Sequence, residues 1–305
     1  MNTDITTYLG AIAKERKEAE KNYNAGAYVR AITEIKKLNF RLTADYLRNN
    51  KIPYVGPGIT EKILYFLGEG PEVEGLPNLS KEEIEKQKIL NEFKSVWRCG
   101  NACAEKWYNA GYKSIYQIPK ELMTEAQEVY IQFYDQLRER IPRNETEKFE
   151  SFLKKHLQTI NPNNPVQFII AGSYLRGKET SGDIDILTIK IPGRDVANEI
   201  LSFEGFIYTL SLGSDKYNGI GGVSGIARRI DIEFATPEEY PFELLYFTGS
   251  GNFNRKMRAH AKSLGYDLNQ KGLINLSTGE HIRLNSEREI FAYLDYPYLP
   301  PSQRE

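Results

Sequence analysis

At 305 residues and 40% hydrophobic, the chain is long enough for two or more compact units and too long to be a single small core. A formal net charge of -1 excludes the basic excess that usually marks a nucleic-acid binder over a whole domain, so any such surface must come from local clustering. No apolar run is long enough to span a membrane and no basic-then-apolar leader opens the chain, which points to an intracellular, soluble protein with nucleus and cytoplasm both open.

From Ile5 to about Leu67, apolar residues recur at three and four spacing with few turn signals, which predicts a small α-helical unit. Between Arg30 and Lys51 it carries Arg30, Lys36, Lys37, Arg41, Arg48 and Lys51 against Glu34 and Asp45. That excess is either a basic binding surface or a solvated helical face. The stretch GEGPEVEGLPNLS, residues 68 to 80, is rich in Gly, Pro and acids and reads as a linker. A second helical block follows from about Lys81 to Arg143, ending in RIPR, where proline interrupts helical continuity. Cys99 and Cys103 lie four apart in this expected helix, where disulfide geometry is poor and no further ligand completes a zinc site. Reduced thiols are the expectation.

VGPGITEKIL, from Val55, and RCGNACAEKWYNAGYKSI, from Arg98, form a weak internal repeat in which a glycine turn precedes a helix. Amides at such a helix N-terminus can hold a backbone phosphate without reading sequence, which is the physics of a helix-hairpin-helix. Tyr54 and Arg98 stand where the first glycine of that motif would be, and ordinary helix connections are the alternative.

From Glu145 onward strands are expected to dominate: 166 to 171, 183 to 189, a glycine-rich hairpin around GIGGVSG, and 226 to 235. VQFIIA reads as a buried strand that turns at Gly172, where backbone amides could approach a polyphosphate closely. Ser173 and Arg176 can donate to its oxygens, and Gly177 and Gly182 allow a tight return. In DIDILTI the alternation puts Asp183 and Asp185 on one face while Ile184 and Ile186 enter the core. Two carboxylates on one face repel each other unless divalent cations neutralise them, and hard, oxygen-seeking Mg²⁺ does so while keeping sites for substrate phosphates. Asp231, flanked by Ile230 and Ile232, can point away from them as a third acid. A further carboxylate would complete the shell of an ion that activates a hydroxyl. His156, His260 and His281 are scattered with no nucleophile beside them and read as structural.

These residues resemble family X DNA polymerases of the polymerase beta type. GSYLRGKETSGDIDIL, residues 172 to 187, is similar to that family's palm signature, RRIDIEF to its third-aspartate strand, and LLYFTGSGNFNRKMRAHA, 244 to 261, to its nucleotide-binding segment. The likeness runs in order along nearly the whole chain and implies an α+β protein. Residues 1–80 would be a helical lyase-like domain with the first helix-hairpin-helix, and 81–144 a helical DNA-binding subdomain with the second. Residues 145–237 would be a nucleotidyltransferase palm with a mixed β-sheet, and 238–305 a small thumb-like, nucleotide-selecting lobe.

Carried over by position, the resemblance gives Asp183, Asp185 and Asp231 to two Mg²⁺ ions, with Mn²⁺ as a substitute. Gly172, Ser173, Arg176, Gly182 and Arg140 would surround the triphosphate. Tyr246, Phe247 and Gly249 would lie against the incoming sugar, favouring deoxynucleotides, and Asn254 and Arg258 against the nascent pair and template. Gly251 departs from the family, which has an acidic residue there. In the N-terminal unit Lys62 matches the Schiff-base lysine of a deoxyribose-phosphate lyase, and an attacking amine must be deprotonated. Tyr28 matches a tyrosine of that pocket. Gly58 and Asn50 stand where the family has lysines, with Lys51 and Lys21 nearby. DNA contacts would come from Tyr28, Lys51, Gly56, Gly58, Gly100 and Arg229.

The expected activity is DNA-directed DNA synthesis in short repair gaps, on gapped or nicked duplex with deoxynucleoside triphosphates, by a monomer with no membrane partner and no proofreading segment. The rivals are a template-independent nucleotidyltransferase and a non-catalytic DNA-end binding scaffold.

Overall fold

A computed structural model describes residues 2–18, 22–38, 40–71, 73, 81–223 and 225–304, with only the backbone of 22–24, 81 and 84. Most of the expected linker, and Lys21, lie outside the described residues. The chain divides into two units, residues 1–127 and 128–305.

The first unit is helical. α1 (Thr3–Glu18), α2 (Asn22–Lys37), α3 (Ala44–Asn49) and α4 (Pro57–Phe66) enclose a core of Ile5, Leu9, Ile12, Ile35, Leu42, Ile59 and Ile63. Ile5, Leu9 and Ile12 recur at four and three, so one stripe of α1 is buried while Lys14, Glu15 and Lys17 face solvent. α5 (Lys81–Lys94) and α6 (Asn101–Asn109) pack through Phe93 and Trp107, whose rings meet edge-on at 5.6 Å.

The internal repeat has a structural counterpart. α4 and α6 begin at Gly56 and Gly100, each an extended N-cap with no side-chain cap. Two residues upstream, Tyr54 and Arg98 adopt positive φ of 61° and 52°. The chain therefore keeps the left-handed turn that a glycine would favour, at a local cost of about 1–3 kcal/mol per non-glycine residue.

The cysteine expectation is corrected. Cys99 is not helical but precedes the Gly100 cap, and it forms a disulfide with Cys103 in the first turn of α6. Leaving the helix before the cap brings the two Cα atoms to 5.2 Å, within the reach of a disulfide.

The second unit begins within α7 (Glu125–Gln132), continues through α8 (Tyr134–Arg138), and passes β1 (Ile141–Pro142) into α9 (Arg143–Ile160). The expectation of strands from Glu145 is overturned here. Thr146, Phe149, Leu153 and Leu157 recur at three and four, and that stripe makes α9 a helix buried against the sheet core. Then come β2 (Phe168–Ile170), α10 (Gly172–Leu175), β3 (Thr180–Ser181), β4 (Ile184–Ile189) and α11 (Val196–Leu201). β5 (Phe206–Leu212), β6 (Lys216–Gly221) and β7 (Arg228–Ala235) complete a five-stranded sheet of order β2-β4-β7-β6-β5. It is mixed: β4 and β7 are parallel and the other neighbours antiparallel. The glycine-rich hairpin is only partly as expected, since Gly219 and Gly221 lie inside β6 and β5 was not foreseen.

A smaller lobe follows, with α12 (Tyr240–Thr248), α13 (Gly251–Ser263), the antiparallel sheet of β8 (Tyr266–Asn269), β9 (Gly272–Asn275) and β10 (His281–Ile282), and α14 (Glu287–Tyr293). Its own core holds Phe242, Phe253, Met257, Leu273, Ile290 and Phe291. Arg304 is fully buried there on the Glu287 carboxylate. The fold is α+β, and among the described residues no helix is long and apolar enough to cross a membrane.

If α9 is held by that buried stripe, Leu153→Ala should lower stability by about 2–5 kcal/mol, and Phe152→Ala on its exposed face by less than about 0.5 kcal/mol. Urea unfolding of the two variants checks it, and equal losses would refute the helix face.

Candidate active site

β7 sorts its residues by alternation. Ile230, Ile232 and Phe234 point into the core, while Arg229, Asp231 and Glu233 leave by the opposite face. β4 does the same with Ile184 and Ile186 against Asp185. The parallel register then pairs Asp185 with Asp231, and Ile184 and Ile186 with Ile230 and Ile232. Asp183, two residues before Asp185, falls on the same face. One carboxylate oxygen from each of the three aspartates lies within 4.8 Å of the others.

The start of β7 is pinned from the core side. Arg228, nearly fully buried, makes a bidentate pair with Glu145 of α9 at 2.7 and 2.9 Å, and donates to the Gln136 carbonyl at 3.2 Å. On the other edge of the site the chain leaves β2 with the Ala171 N–H bonded to the Asp185 carbonyl at 2.7 Å. It then turns at Gly172, whose φ is +56°. A Cβ there would sit 2.0 Å from an Asp185 carboxylate oxygen, so glycine is demanded by both backbone and space.

Electrostatics follow from this crowding. Burial first, then the charges of Asp183 and Asp231, hold the Asp185 carboxyl well above the ordinary carboxylate range, with Arg229 and Lys216 opposing. Burial likewise raises Asp231, opposed by Arg229 and reinforced by Asp183. Asp231 Oδ1 is buried without a hydrogen-bond partner among the described residues. An all-oxygen donor set with an unsatisfied, destabilised carboxylate suits a hard divalent cation, so these residues fit one.

The other expected residues of this unit are placed as follows. Ser173 Oγ donates to Ser181 Oγ at 2.9 Å. Arg140 is bonded to the Thr180 side chain and carbonyl, and Gly182 lies under it, where a Cβ would come within 3.3 Å of the guanidinium. The Arg176 guanidinium donates to the Thr248 carbonyl at the end of α12, bracing the turn through Gly249 (φ +67°) that leads into α13. α12 in turn packs on β4 and β7. Tyr246 is exposed, Phe247 half-buried, and Asn254 ties the Tyr246 carbonyl at 2.7 Å. Tyr246, Asn254 and Arg258 border one shallow depression in the lobe.

In the first unit Lys62, Tyr28, Gly56 and Gly58 line a single cleft of about 640 Å³. Arg16, Arg30 and Tyr54 also line it, and among the described residues no lining side chain is acidic. The Arg16 guanidinium lies 5.8 Å from the Tyr28 ring and that of Arg30 5.7 Å from the Tyr54 ring. Lys62 Nζ donates to the Gly58 carbonyl at 3.0 Å. Lys51 is exposed and does not line the cleft, and Gly100 caps α6 elsewhere in the unit. Arg16 was not foreseen, and Arg30 was read only as part of a basic surface. Their convergence depends on how α1 and α2 cross, which their own sequences do not encode.

Known proteins align with this arrangement. The DNA polymerase beta palm family model matches residues 140–237 and the DNA polymerase beta thumb model residues 243–305. DNA polymerase lambda of Rattus norvegicus is 29% identical over 331 residues, covering 100% of the chain and 56% of that protein. DNA polymerase lambda of Arabidopsis thaliana is 28% identical over 339 residues, covering 100% of the chain and 62% of that protein. DNA nucleotidylexotransferase of Xenopus laevis is 24% identical over 355 residues, covering 99% and 68% respectively. The chain thus spans 56–62% of the length of the two polymerase relatives.

Because ionising Asp185 in the folded chain is unfavourable, the stability that its neutral form supports is present below its ordinary value of 3.8 and lost as pH rises through its raised native value. In chelator, Asp185→Asn should therefore be more thermostable than the parent at neutral pH, with the gap closing as pH falls. A gap that is absent, or widens on acidification, contradicts the crowding.

Proposed function

Since the chain belongs to the family X DNA polymerases, we propose that it is a DNA-directed DNA polymerase that fills short gaps in DNA repair. The observation that carries this reading is the in-register pairing of Asp185 with Asp231, with Asp183 on the same face. Asp183 and Asp185 would hold two Mg²⁺ ions, which Mn²⁺ could replace, and Asp231 would join them at the ion nearest the primer 3′ hydroxyl. Such ions, when bound, supply a lowered hydroxyl pKa and neutralise the leaving pyrophosphate.

The remaining residues position the reactants. Gly172 would give a triphosphate access to backbone amides, and Ser173 and Arg176, next to it in sequence, and Arg140, brought beside Thr180 and Gly182, would donate to it after exchanging their present partners. Tyr246 and Phe247 would exclude a ribose 2′ hydroxyl, and Asn254 and Arg258 would meet the base pair and template. The four-part division at residues 80, 144 and 237, action as a monomer, an intracellular setting, and gapped or nicked duplex as substrate belong to the same reading.

The cleft around Lys62 supports a second activity, removal of a 5′-deoxyribose phosphate. Three cations, with no carboxylate beside them among the described residues, suit an anionic end of DNA. Arg16 and Arg30 would there replace the phosphate-binding lysines missing at Gly58 and Asn50. Gly56 and Gly100, as uncapped helix starts, would hold backbone phosphates.

Asp231→Ala should reduce Mg²⁺-dependent extension of a primer in a gapped duplex by at least about 100-fold, since loss of even an outer ligand partner costs 10- to 100-fold. Extension of a single strand without template would instead favour the nucleotidylexotransferase-like reading, and no extension at all the scaffold. For the cleft, borohydride should trap the chain on an incised abasic site, and Lys62→Ala should abolish trapping. Trapping that persists assigns the Schiff base to another amine.

A further inference from the structure

Arg229 is two residues before Asp231 on β7, so its side chain leaves the sheet on the carboxylate face. Its guanidinium donates to an Asp183 carboxylate oxygen, and its Nε lies 3.8 Å from the Asp231 carboxylate. That Nε is buried with no hydrogen-bond partner among the described residues, as is Asp231 Oδ1. The guanidinium thus engages oxygens of the two aspartates that flank Asp185 in the cluster, while leaving part of its own fork unsatisfied. This is a cation held by charge more than by fit.

We propose that Arg229 is an internal counter-ion of the aspartate cluster, competing with a divalent ion for Asp183 and Asp231. The inference rests on the reading that these aspartates hold metal ions. Three half-buried carboxylates with oxygens within 4.8 Å of one another repel unless a cation lies between them, and a guanidinium supplies one charge where a divalent ion supplies two. An ion that takes the Asp183 oxygen held by Arg229 must therefore break that pair, which lowers apparent ion affinity.

Lys216 provides the control. It too faces this field, contributing to the electrostatics of Asp185 and Asp231, but its ammonium is bonded to Glu233 at 2.8 Å. Removing it deletes a positive charge without removing a competitor for the cluster's oxygens.

The test is Mn²⁺ titration of the full chain without DNA or nucleotide, read by loss of the free-ion electron paramagnetic resonance signal. Arg229→Ala should bind roughly tenfold to a hundredfold tighter than the parent. Arg229→Lys, whose ammonium cannot span two carboxylates, should fall between, and Lys216→Gln should change affinity much less. If Arg229→Ala does not fold by circular dichroism, Arg229→Lys alone decides. Parent-like affinity in the Arg229 variants overturns the inference, as does an equal effect of Lys216→Gln. If parent and variants all fail to bind Mn²⁺, or Asp183→Asn binds as the parent does, the metal reading of the cluster fails as well.

Discussion

The second unit is organised around one unfavourable interaction: three carboxylates brought together by a parallel pair of strands. Backbone hydrogen bonding between β4 and β7 sets Asp185 opposite Asp231, and strand alternation adds Asp183. Nothing about the carboxylates themselves favours this arrangement. It persists because Ile184, Ile186, Ile230 and Ile232, paired in the same register, are fully buried on the reverse face. At about 1.5–3 kcal/mol for each buried side chain, that hydrophobic term opposes the crowding on the other face. Slipping the register by one residue would reverse both faces at once, so the core and the acidic cluster are specified together.

The same logic explains the surroundings. Arg228 and Arg229 are neighbours in sequence with opposite roles: one is locked to Glu145 inside the unit, the other engages the aspartates. Gly172 is required because the turn passes so close to Asp185 that no side chain fits. Arg176 carries this geometry further, joining the turn to the Thr248 carbonyl and hence to the segment that leads into α13. The palm sheet and the smaller lobe therefore communicate through hydrogen bonds as well as packing.

In the first unit the governing feature is an excess of positive charge around a cleft. Tyr54 and Arg98 adopt a left-handed backbone without being glycine, each two residues ahead of an extended glycine cap. Tyr54 adds an exposed ring beside Arg30, a contact that glycine could not make.

Local pattern made several of these features legible. Alternation in DIDILTI and RRIDIEF placed the aspartates on strand faces, glycine at 172 marked the turn, and the repeated glycine-helix pattern located two helix starts at Gly56 and Gly100. Local pattern misled where tertiary context decided. Residues 143–160 form a helix where strands are expected, because the three-and-four stripe of Thr146, Phe149, Leu153 and Leu157 governs the chain before the strand at 168–170 begins. The cysteines were assigned to a helix that begins only after the first of them. Composition and periodicity, being properties of neighbours in sequence, determined which residues face together on one strand or helix. Only the folded chain decided which strand lies beside which, and so brought Asp231 to Asp185 across 45 intervening residues, Arg16 and Arg30 to Lys62, and Arg229 to Asp183. Those encounters depend on pairing and crossing between separate elements, which are set by burying many side chains at once and not by any single segment.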